Sequence, residues 1–332
     1  MRKIKVAQIG TSAYSHGISV WTSITNQPDI FDVVGYAFPE NEREKFPKFA
    51  ERFNGYREMT VEEILNDPEI EAVTVETEEI YLTKYAIMAA KAGKHIHMEK
   101  PGGIRLSDFE ELIEILKAKK LVFSTGYMYR FNPMVKESIQ KIKNGELGRI
   151  FSVEAHMSCP EDKDLKEWLA TFPGGMMFYL GCHLVDLIYQ IQGEPEEVIP
   201  LNCSTGTDGI SSEDYGMAVF KYKNGVSFAK TNGSEYGGFL RRQLVICGER
   251  GSIEIKPLEV IADNGVYTVL NDYCTDSWTD PWRTEKTEVY PRYDVMMKNF
   301  AELICGKENP YSYDYELNLY KLILKACGNE IK

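Results

Sequence analysis

The chain has 332 residues, of which 43% are hydrophobic and 27% charged, and its formal net charge is -12 at pH 7. This length suits two domains that each bury a core. No apolar run is long enough to cross a membrane, and the acidic balance disfavours a nucleic-acid partner. The start carries no secretory pattern and the 7 cysteines form no C-x-x-C pair. We therefore expect a cytoplasmic protein with reduced thiols and no metal site.

The first part of the chain alternates strand and helix signals, as βαβ units do. Strands are predicted over 3–9, 33–38, near Tyr56, over 72–76, over 94–100 and over 121–125. Helices are predicted over 19–25, 42–53, from Thr60, over 83–92 and from Ser107. Thr60 and Glu63 have the spacing of a capping box. Residues 1–126 are thus predicted to form a doubly wound parallel sheet of the mononucleotide-binding type.

The pattern changes after Gly126, where strand candidates follow one another through turns. They lie over 150–157, 198–204, 215–222, 226–231, 240–247 and 252–255. Such a succession is typical of an antiparallel sheet. Helices are predicted over 133–144, 176–192, 293–306 and 315–327. Residues 127–332 are therefore predicted to form an α+β domain, whose last helices are candidates to pack back on the first domain.

Lys100 ends a predicted strand and stands between Glu99 and Pro101. The proline keeps Lys100 extended, and the carboxyl ends of parallel strands border the crevice in which ligands bind. The simpler alternative is a solvated lysine at the edge of a loop. Its position makes Lys100 a candidate site residue.

The first strand-to-helix turn, residues 10–17, is where a pyrophosphate is expected. Gly10 ends the strand, but Ser12 and Ser15 stand at the second and third glycine positions of G-x-G-x-x-G. Thr11 and Ser12 are small and can add hydroxyl donors to a phosphate. Glu40 is the candidate for the ribose hydroxyls and Arg43 the alternative for a 2′-phosphate, and we favour NAD over NADP.

On a helix over 176–192, Tyr179, His183 and Asp186 are four and three residues apart and share one face. A histidine with a phenol one turn before it and a carboxylate one turn after it can handle protons. The alternatives are a structural histidine and a tyrosine that only packs.

Several motifs together resemble the Gfo/Idh/MocA family of oxidoreductases, named for glucose-fructose oxidoreductase and inositol dehydrogenase. They are Glu99-Lys100-Pro101, Gly174-Gly175, the segment 180–186, and the segments 126–133, 145–150 and 248–253. The resemblance implies a Rossmann domain that binds NAD or NADP, then an α+β domain whose open sheet forms a homodimer or homotetramer. It also implies hydride transfer between nicotinamide and a secondary alcohol or ketone of a sugar, a sugar derivative or a cyclitol.

The resemblance also assigns roles to residues. It implies that Lys100 contacts substrate and nicotinamide and that His183 is the acid/base, a role for which Tyr179 is the alternative. The cofactor-binding candidates are Gly10, Thr11, Ser12, Glu40, Thr77, Glu99 and Lys100. The substrate-pocket candidates are Tyr127, Arg130, Trp168, Tyr179, His183 and Asp186, with Asn132 as a further one.

The chain departs from the family pattern at three cofactor-facing elements: the glycine turn, the end of the second strand and the segment after the fourth strand. The family's Thr-Pro-Asn-x-x-His reads here as residues 77–82, Thr-Glu-Glu-Ile-Tyr-Leu. Tyr179 also stands where the family often has aspartate. Two alternatives therefore stay open: a redox-inactive ligand-binding protein on the same fold, and an NAD-dependent enzyme that cleaves glycosides by elimination.

Overall fold

The structure is a computed structural model that describes residues 2–12, 14, 16–274, 278 and 280–329. The chain divides into two compact units. The first comprises Met1–Tyr127 and Tyr293–Tyr320, and the second comprises Met128–Arg292 and Lys321–Lys332.

The first unit is built on a five-stranded parallel sheet. Its strands are β1 (Ile4–Ile9), β2 (Phe31–Ala37), β3 (Ala72–Val75), β4 (His95–Met98) and β5 (Phe123–Thr125). Their order is β2-β1-β3-β4-β5, so the chain reverses direction across the sheet between β1 and β3. Strands β1 and β3 are almost wholly buried, as expected when helices cover both faces. The predicted doubly wound sheet is confirmed. In such folds the crevice that binds ligands is expected at the carboxyl ends of the strands beside the switch point, here β1 and β3.

Short helices connect these strands. They are α1 (Gly17–Thr25), α2 (Glu42–Lys45), α3 (Pro47–Ala50), α4 (Val61–Asn66), α5 (Leu82–Lys91) and α6 (Leu106–Lys119). The predicted capping box is present: Thr60 Oγ1 accepts from the Glu63 N–H, and the Glu63 carboxylate accepts from the Thr60 N–H.

Two predicted elements of the first unit were wrong. The helix over 42–53 is broken into α2, α3 and a 3₁₀ turn, because Pro47 lacks an N–H and cannot continue the preceding helix. The segment near Tyr56 forms no strand; it makes one isolated parallel bridge, between Tyr36 and Glu58. The edge beyond β2 therefore holds a bridge where a sixth strand was predicted.

The second unit is built on an eight-stranded sheet, which confirms the predicted α+β class. In the order β15-β14-β11-β10-β6-β9-β8-β7, the pair β6–β9 is parallel, and the other pairs found among the described residues are antiparallel. The strands are β6 (Ile150–Ser158), β7 (Glu197–Pro200), β8 (Tyr215–Tyr222), β9 (Gly225–Asn232), β10 (Gln243–Gly248), β11 (Gly251–Ile255), β14 (Val269–Asp272) and β15 (Arg283–Lys286). A small hairpin adds β12 (Val260–Ala262) and β13 (Gly265–Tyr267).

The remaining helices are α7 (Pro133–Lys143), α8 (Lys163–Trp168), α9 (Cys182–Gln192), α10 (Arg292–Ile304) and α11 (Tyr313–Ala326). From Tyr293 to Tyr320 the terminal helices belong to the first unit, where Tyr320 Oη donates to the Gly103 carbonyl at 2.9 Å. In the described part of the chain, no helix is both long and apolar enough to cross a membrane.

Three predictions for the second unit need correction. The strand over 198–204 ends at Pro200, and the strand over 240–247 starts at Gln243, after a 3₁₀ turn over Phe239–Arg241. The helix over 176–192 is not uniform: Met177–Gly181 is π-helical and the α-helix proper begins at Cys182. Sequence patterns also missed α8 and the strands β12 to β15.

The capping box gives a direct test of the first unit. We expect Thr60→Ala to lower the free energy of unfolding by about 1 kcal/mol, because the Glu63 N–H loses its acceptor. Thr60→Ser keeps the hydroxyl and should retain most of the stability. Urea unfolding followed by circular dichroism measures both, and equal stability of Thr60→Ala and the wild type would contradict the assignment.

Candidate active site

Gly10 sets the turn after β1. Its φ of +94° lies in the left-handed region, and a Cβ there would come within 2.6 Å of Thr77 Cγ2 and of the Thr77 N–H nitrogen. The Gly10 N–H donates to the Ala37 carbonyl, and the Ser12 N–H donates to the Glu76 carbonyl. The predicted neighbours Gly10, Ser12 and Thr77 are thus brought together where β1 and β3 end. Ala13 and Ser15 of the same turn lie outside the described residues.

The Thr11 N–H, also in this turn, donates to Glu42 Oε2 at 2.9 Å. Glu42 opens α2 and is fully buried. Thr11 Oγ1 and Glu42 Oε1 are buried and have no hydrogen-bond partner in the described part of the chain. Burial raises the pKa of Glu42 to about 8, although the Thr11 N–H acts to lower it. The turn therefore faces a largely protonated carboxyl that has unused hydrogen-bonding capacity.

Glu40, the residue predicted for the ribose, points to other partners. Its carboxylate accepts from Lys84 Nζ at 2.5 Å and from Tyr85 Oη at 2.8 Å. It lines a cavity of about 630 Å³ together with Phe38, Lys84 and Tyr85. Arg43, the alternative for a 2′-phosphate, is paired with Glu58 at 2.5 Å.

Glu99 and Lys100 follow β4 and are almost fully buried. Glu99 Oε1 lies 3.2 Å from His16 Nδ1 and 3.8 Å from Lys100 Nζ. Burial would raise the pKa of Glu99, but the charge of a protonated His16, its hydrogen bond and the charge of Lys100 outweigh burial and hold that pKa well below its usual range. Glu99 is thus held as an ionised carboxylate beside His16 and Lys100. The Lys100–Pro101 peptide bond is cis.

Two further buried carboxyls follow β3. Burial and the neighbouring Glu99 raise the pKa of Glu76 well above its usual value, and burial raises the pKa of Glu79 to about 8 despite the charge of Lys100. Glu76 Oε1 also lies 3.8 Å from His97 Nε2, and burial lowers the pKa of His97 to about 4. Burial therefore disfavours the charged forms of both Glu76 and Glu79. Burial thus reduces the negative charge of the acidic sequence after β3.

The candidate residues of the second unit stand around the start of α9. Gly175 has a φ of +43°, and a Cβ there would lie 2.2 Å from the Glu213 carbonyl oxygen, so the chain enters this segment in close contact with Glu213. The following π turn aligns residues five apart rather than four. Tyr179 lies in the π turn and His183 and Asp186 lie in α9, so the regular α-helix assumed for the predicted face does not include Tyr179.

His183 is buried, and its ring meets the ring of Tyr129 edge-on at a centroid distance of 5.1 Å. Tyr129 Oη donates to Glu259, and Arg242 donates to Tyr129 Oη at 3.1 Å and to Glu259 at 2.7 Å. A buried network thus fixes the ring against which His183 packs. Tyr129 was not predicted from the sequence as a site residue.

The other predicted members have their own neighbours in the second unit. Asp186 Oδ1 accepts from Arg130 Nη2 at 2.8 Å and Nε at 3.1 Å, and its Oδ2 accepts from Arg130 Nε at 3.1 Å and from Gln190 Nε2 at 2.8 Å. Tyr179 and Trp168 pack edge-to-face with ring centroids 5.6 Å apart. Asp186 and Arg130 form a buried ion pair, and Trp168 and Tyr179 an aromatic pair.

The side chain of Asn132 forms hydrogen bonds mainly with backbone groups. Its Oδ1 accepts from the Met134 and Val135 N–H groups at the start of α7, and its Nδ2 donates to Thr268 Oγ1 and to the Leu258 carbonyl. This is the geometry of a helix N-cap. Tyr127, the last residue of the first unit's leading segment, is buried.

Two family models match the chain. The model described as an oxidoreductase family with an NAD-binding Rossmann fold covers residues 4–127, and the GFO/IDH/MocA C-terminal domain model covers residues 135–254. The chain belongs to the Gfo/Idh/MocA family. Its first unit is therefore a Rossmann domain of an oxidoreductase, and the cofactor is NAD or NADP.

Individual relatives of this Gfo/Idh/MocA protein are distant. The uncharacterized oxidoreductase YhhX of Escherichia coli is 32% identical over 139 residues, which is 42% of this chain and 40% of YhhX. Myo-inositol 2-dehydrogenase of Thermotoga maritima is 24% identical over 233 residues, 68% of each chain. A solved structure of levoglucosan dehydrogenase in complex with NADH and L-sorbose has a TM-score of 0.79 at 20% identity, covering 98% of this chain and 97% of that one. This last similarity shows a shared fold.

One residue that faces the turn of this family member was missed from the sequence. Glu42 lies five residues after β2 ends, whereas a ribose-binding acid is expected near the end of that strand. An acid in the first turn of the helix after β2 could have indicated this residue, because its side chain can contact the glycine turn from there.

The ionisation of Glu42 leads to a pH-dependent prediction. Its pKa is raised on folding, so the folded state binds more protons between about pH 4.5 and about pH 8, and the unfolding free energy falls as pH rises through that range. Because glutamine cannot ionise, we expect Glu42→Gln to gain about 2–4 kcal/mol relative to wild type between pH 4.5 and pH 8.5.

Urea unfolding at both pH values measures this difference. Glu44→Gln, an exposed change in the same helix, is the matched control and should show no such trend. A stability difference between Glu42→Gln and wild type that does not change with pH would contradict the assignment.

Proposed function

We propose that the protein is an NAD(P)-dependent dehydrogenase or reductase that moves hydride between nicotinamide and a secondary alcohol or ketone of a sugar, a sugar derivative or a cyclitol. The observation that carries the proposal is the buried Lys100, held beside the Glu99 carboxylate at the carboxyl end of β4. The names of two similar proteins, a myo-inositol 2-dehydrogenase and a levoglucosan dehydrogenase, support this substrate class.

The residues of the first turn fit a dinucleotide. Gly10 leaves no side chain between β1 and Thr77, and Thr11 Oγ1 and Glu42 Oε1 are buried polar atoms without a hydrogen-bond partner among the described residues. Hydroxyl or phosphate oxygens of a nucleotide would satisfy such atoms. Gly10, Thr11, Ser12 and Thr77 would then hold the pyrophosphate side, and Glu42 would contact the adenosine ribose.

The charges around this end favour NAD over NADP. Glu40 and Glu42 lie after β2, and Arg43 is committed to Glu58. A 2′-phosphate would meet the Glu40 carboxylate and no uncommitted arginine among the described residues of this segment, so repulsion would weaken NADP. The cavity lined by Phe38, Glu40 and Tyr85 is the candidate place for the adenine ring.

The bound nicotinamide supplies the hydride acceptor or donor. In the proposal Lys100 donates a hydrogen bond to the reacting oxygen and stabilises the negative charge that develops there, since a buried ammonium interacts strongly with an oxyanion. His183 takes up or gives back the hydroxyl proton, and its ring is steadied by Tyr129. Tyr179, whose ring contacts Trp168, is the alternative proton carrier or a stacking surface for the sugar.

The alternatives to hydride transfer make different observable products. We propose testing the protein with NAD and NADP against a panel of sugars and cyclitols in both directions, following the near-ultraviolet absorbance of reduced nicotinamide and the products by NMR. Net change in reduced nicotinamide supports the proposed reaction. Glycoside cleavage without such change indicates elimination, and ligand binding without either indicates a redox-inactive protein.

Lys100→Met tests the central assignment. We expect kcat to fall by about 10²- to 10⁴-fold, because the developing charge loses its hydrogen-bond donor. NADH affinity, measured by fluorescence titration, should change much less, since the proposed role of Lys100 is exerted on the reacting oxygen.

Lys91→Met is the matched control, because Lys91 is exposed on α5 and pairs with Glu111 on the surface. It should leave kcat unchanged. If Lys100→Met keeps wild-type kcat on a substrate that the wild type oxidises, Lys100 has no part in the reaction.

A further inference from the structure

Glu79 carries a fully buried carboxyl group. It follows β3 and opens the 3₁₀ turn Glu79–Tyr81, and none of its side chain is exposed. Neither carboxyl oxygen has a hydrogen-bond partner in the described part of the chain. An unsatisfied buried polar group costs free energy, so such a group in a ligand crevice points to a partner that arrives with the ligand.

The charged groups that act on Glu79 come from two loops, which follow β3 and β4. Lys100 and Glu99 follow β4, and Glu76 and Glu78 precede Glu79 in the loop after β3. Most of these charges are already committed: Glu78 pairs with Lys45 and Glu99 with His16. Glu79 itself forms no ion pair within 4.0 Å among the described residues.

The protonation state follows from this setting. Burial raises the pKa of Glu79 to about 8, against the opposing charge of Lys100. Below that pH the group is a neutral acid with one O–H donor and one C=O acceptor. It then resembles an amide in hydrogen bonding, whereas the ionised form accepts hydrogen bonds only and repels phosphate.

We propose that Glu79, as the neutral acid, donates a hydrogen bond to the dinucleotide bound in the crevice and thereby makes cofactor binding depend on one proton at this side chain. The inference rests on the proposed function, since it assumes that the crevice binds NAD(H). The bond joins the Glu79 O–H to an oxygen of the cofactor, and no covalent change takes place.

The main experiment is infrared difference spectroscopy of the full-length protein with and without NADH at pH 7. The C=O stretch of a protonated carboxyl moves when its O–H becomes a donor. We expect NADH to shift such a band in the wild type and the band to be missing in Glu79→Gln. The shift should persist in Glu42→Gln at an NADH concentration that saturates this variant, which lacks another buried carboxyl with a pKa of about 8. Glu42→Gln thus separates Glu79 from the acid at the glycine turn.

The second experiment is NADH titration by fluorescence from about pH 6 to about pH 10, above and below the pKa of Glu79. In Glu42→Gln, affinity should be flat up to about pH 8 and then fall by up to about tenfold per pH unit, because binding requires the protonated form of Glu79. Adding Glu79→Gln should remove this fall. Glu78→Gln, the neighbouring glutamate that pairs with Lys45, should not remove it.

The outcomes separate the inference from the function. If NADH binds to the wild type without a shift of a carboxyl band, the inference is overturned and the proposed function stands. The same conclusion follows if NADH affinity has the same pH profile in Glu42→Gln with and without Glu79→Gln. The wild-type spectrum decides this even if a variant does not fold. Absence of NADH and NADPH binding at every pH overturns the proposed function and the inference with it.

Discussion

The balance of buried charge at the carboxyl ends of β3 and β4 is the constraint on which the candidate site depends. Several carboxyls are buried here beside one lysine, and an isolated buried carboxylate is strongly disfavoured. Glu99 is held ionised beside His16 and Lys100, while burial disfavours the charged forms of Glu76 and Glu79. An acidic segment can therefore border a crevice for an anionic dinucleotide without repelling it.

Elements of the fold with a local sequence signal could be predicted, and those that depend on pairing with a neighbouring strand could not. β1, β3 and β4 were correct to within a residue or two because short apolar runs between helices are typical of a buried parallel sheet. The Thr60 capping box was correct because its signal is local. The strand near Tyr56 was wrong because pairing at a sheet edge depends on the neighbouring strand, and here it is reduced to one bridge with Tyr36. The local sequence does not show whether such a segment forms a paired edge strand or a single bridge.

Some residues of the candidate site could be predicted from the sequence, and others could not. Lys100 is found buried at a strand end because Pro101 and the preceding strand fix it there, and both are visible in the sequence. Glu42 was missed because the ribose-binding acid was expected near the end of β2. Glu42 lies in α2 instead, and its side chain accepts a hydrogen bond from the Thr11 N–H. The π turn before His183 could not be predicted from the sequence either, because the spacing argument assumed a regular α-helix in which residues i and i+4 are neighbours. The contact of Tyr129 with His183 joins positions far apart in the chain, and only the fold reveals it.

The central claim is that Lys100 borders the reacting end of the cofactor. A crystal structure of the protein with NADH tests it most directly. The account predicts an ordered nicotinamide ring within about 4 Å of the Lys100 side chain, at the carboxyl end of β4. A nicotinamide ring bound elsewhere, with the pyrophosphate away from Gly10 and Thr11, would contradict it.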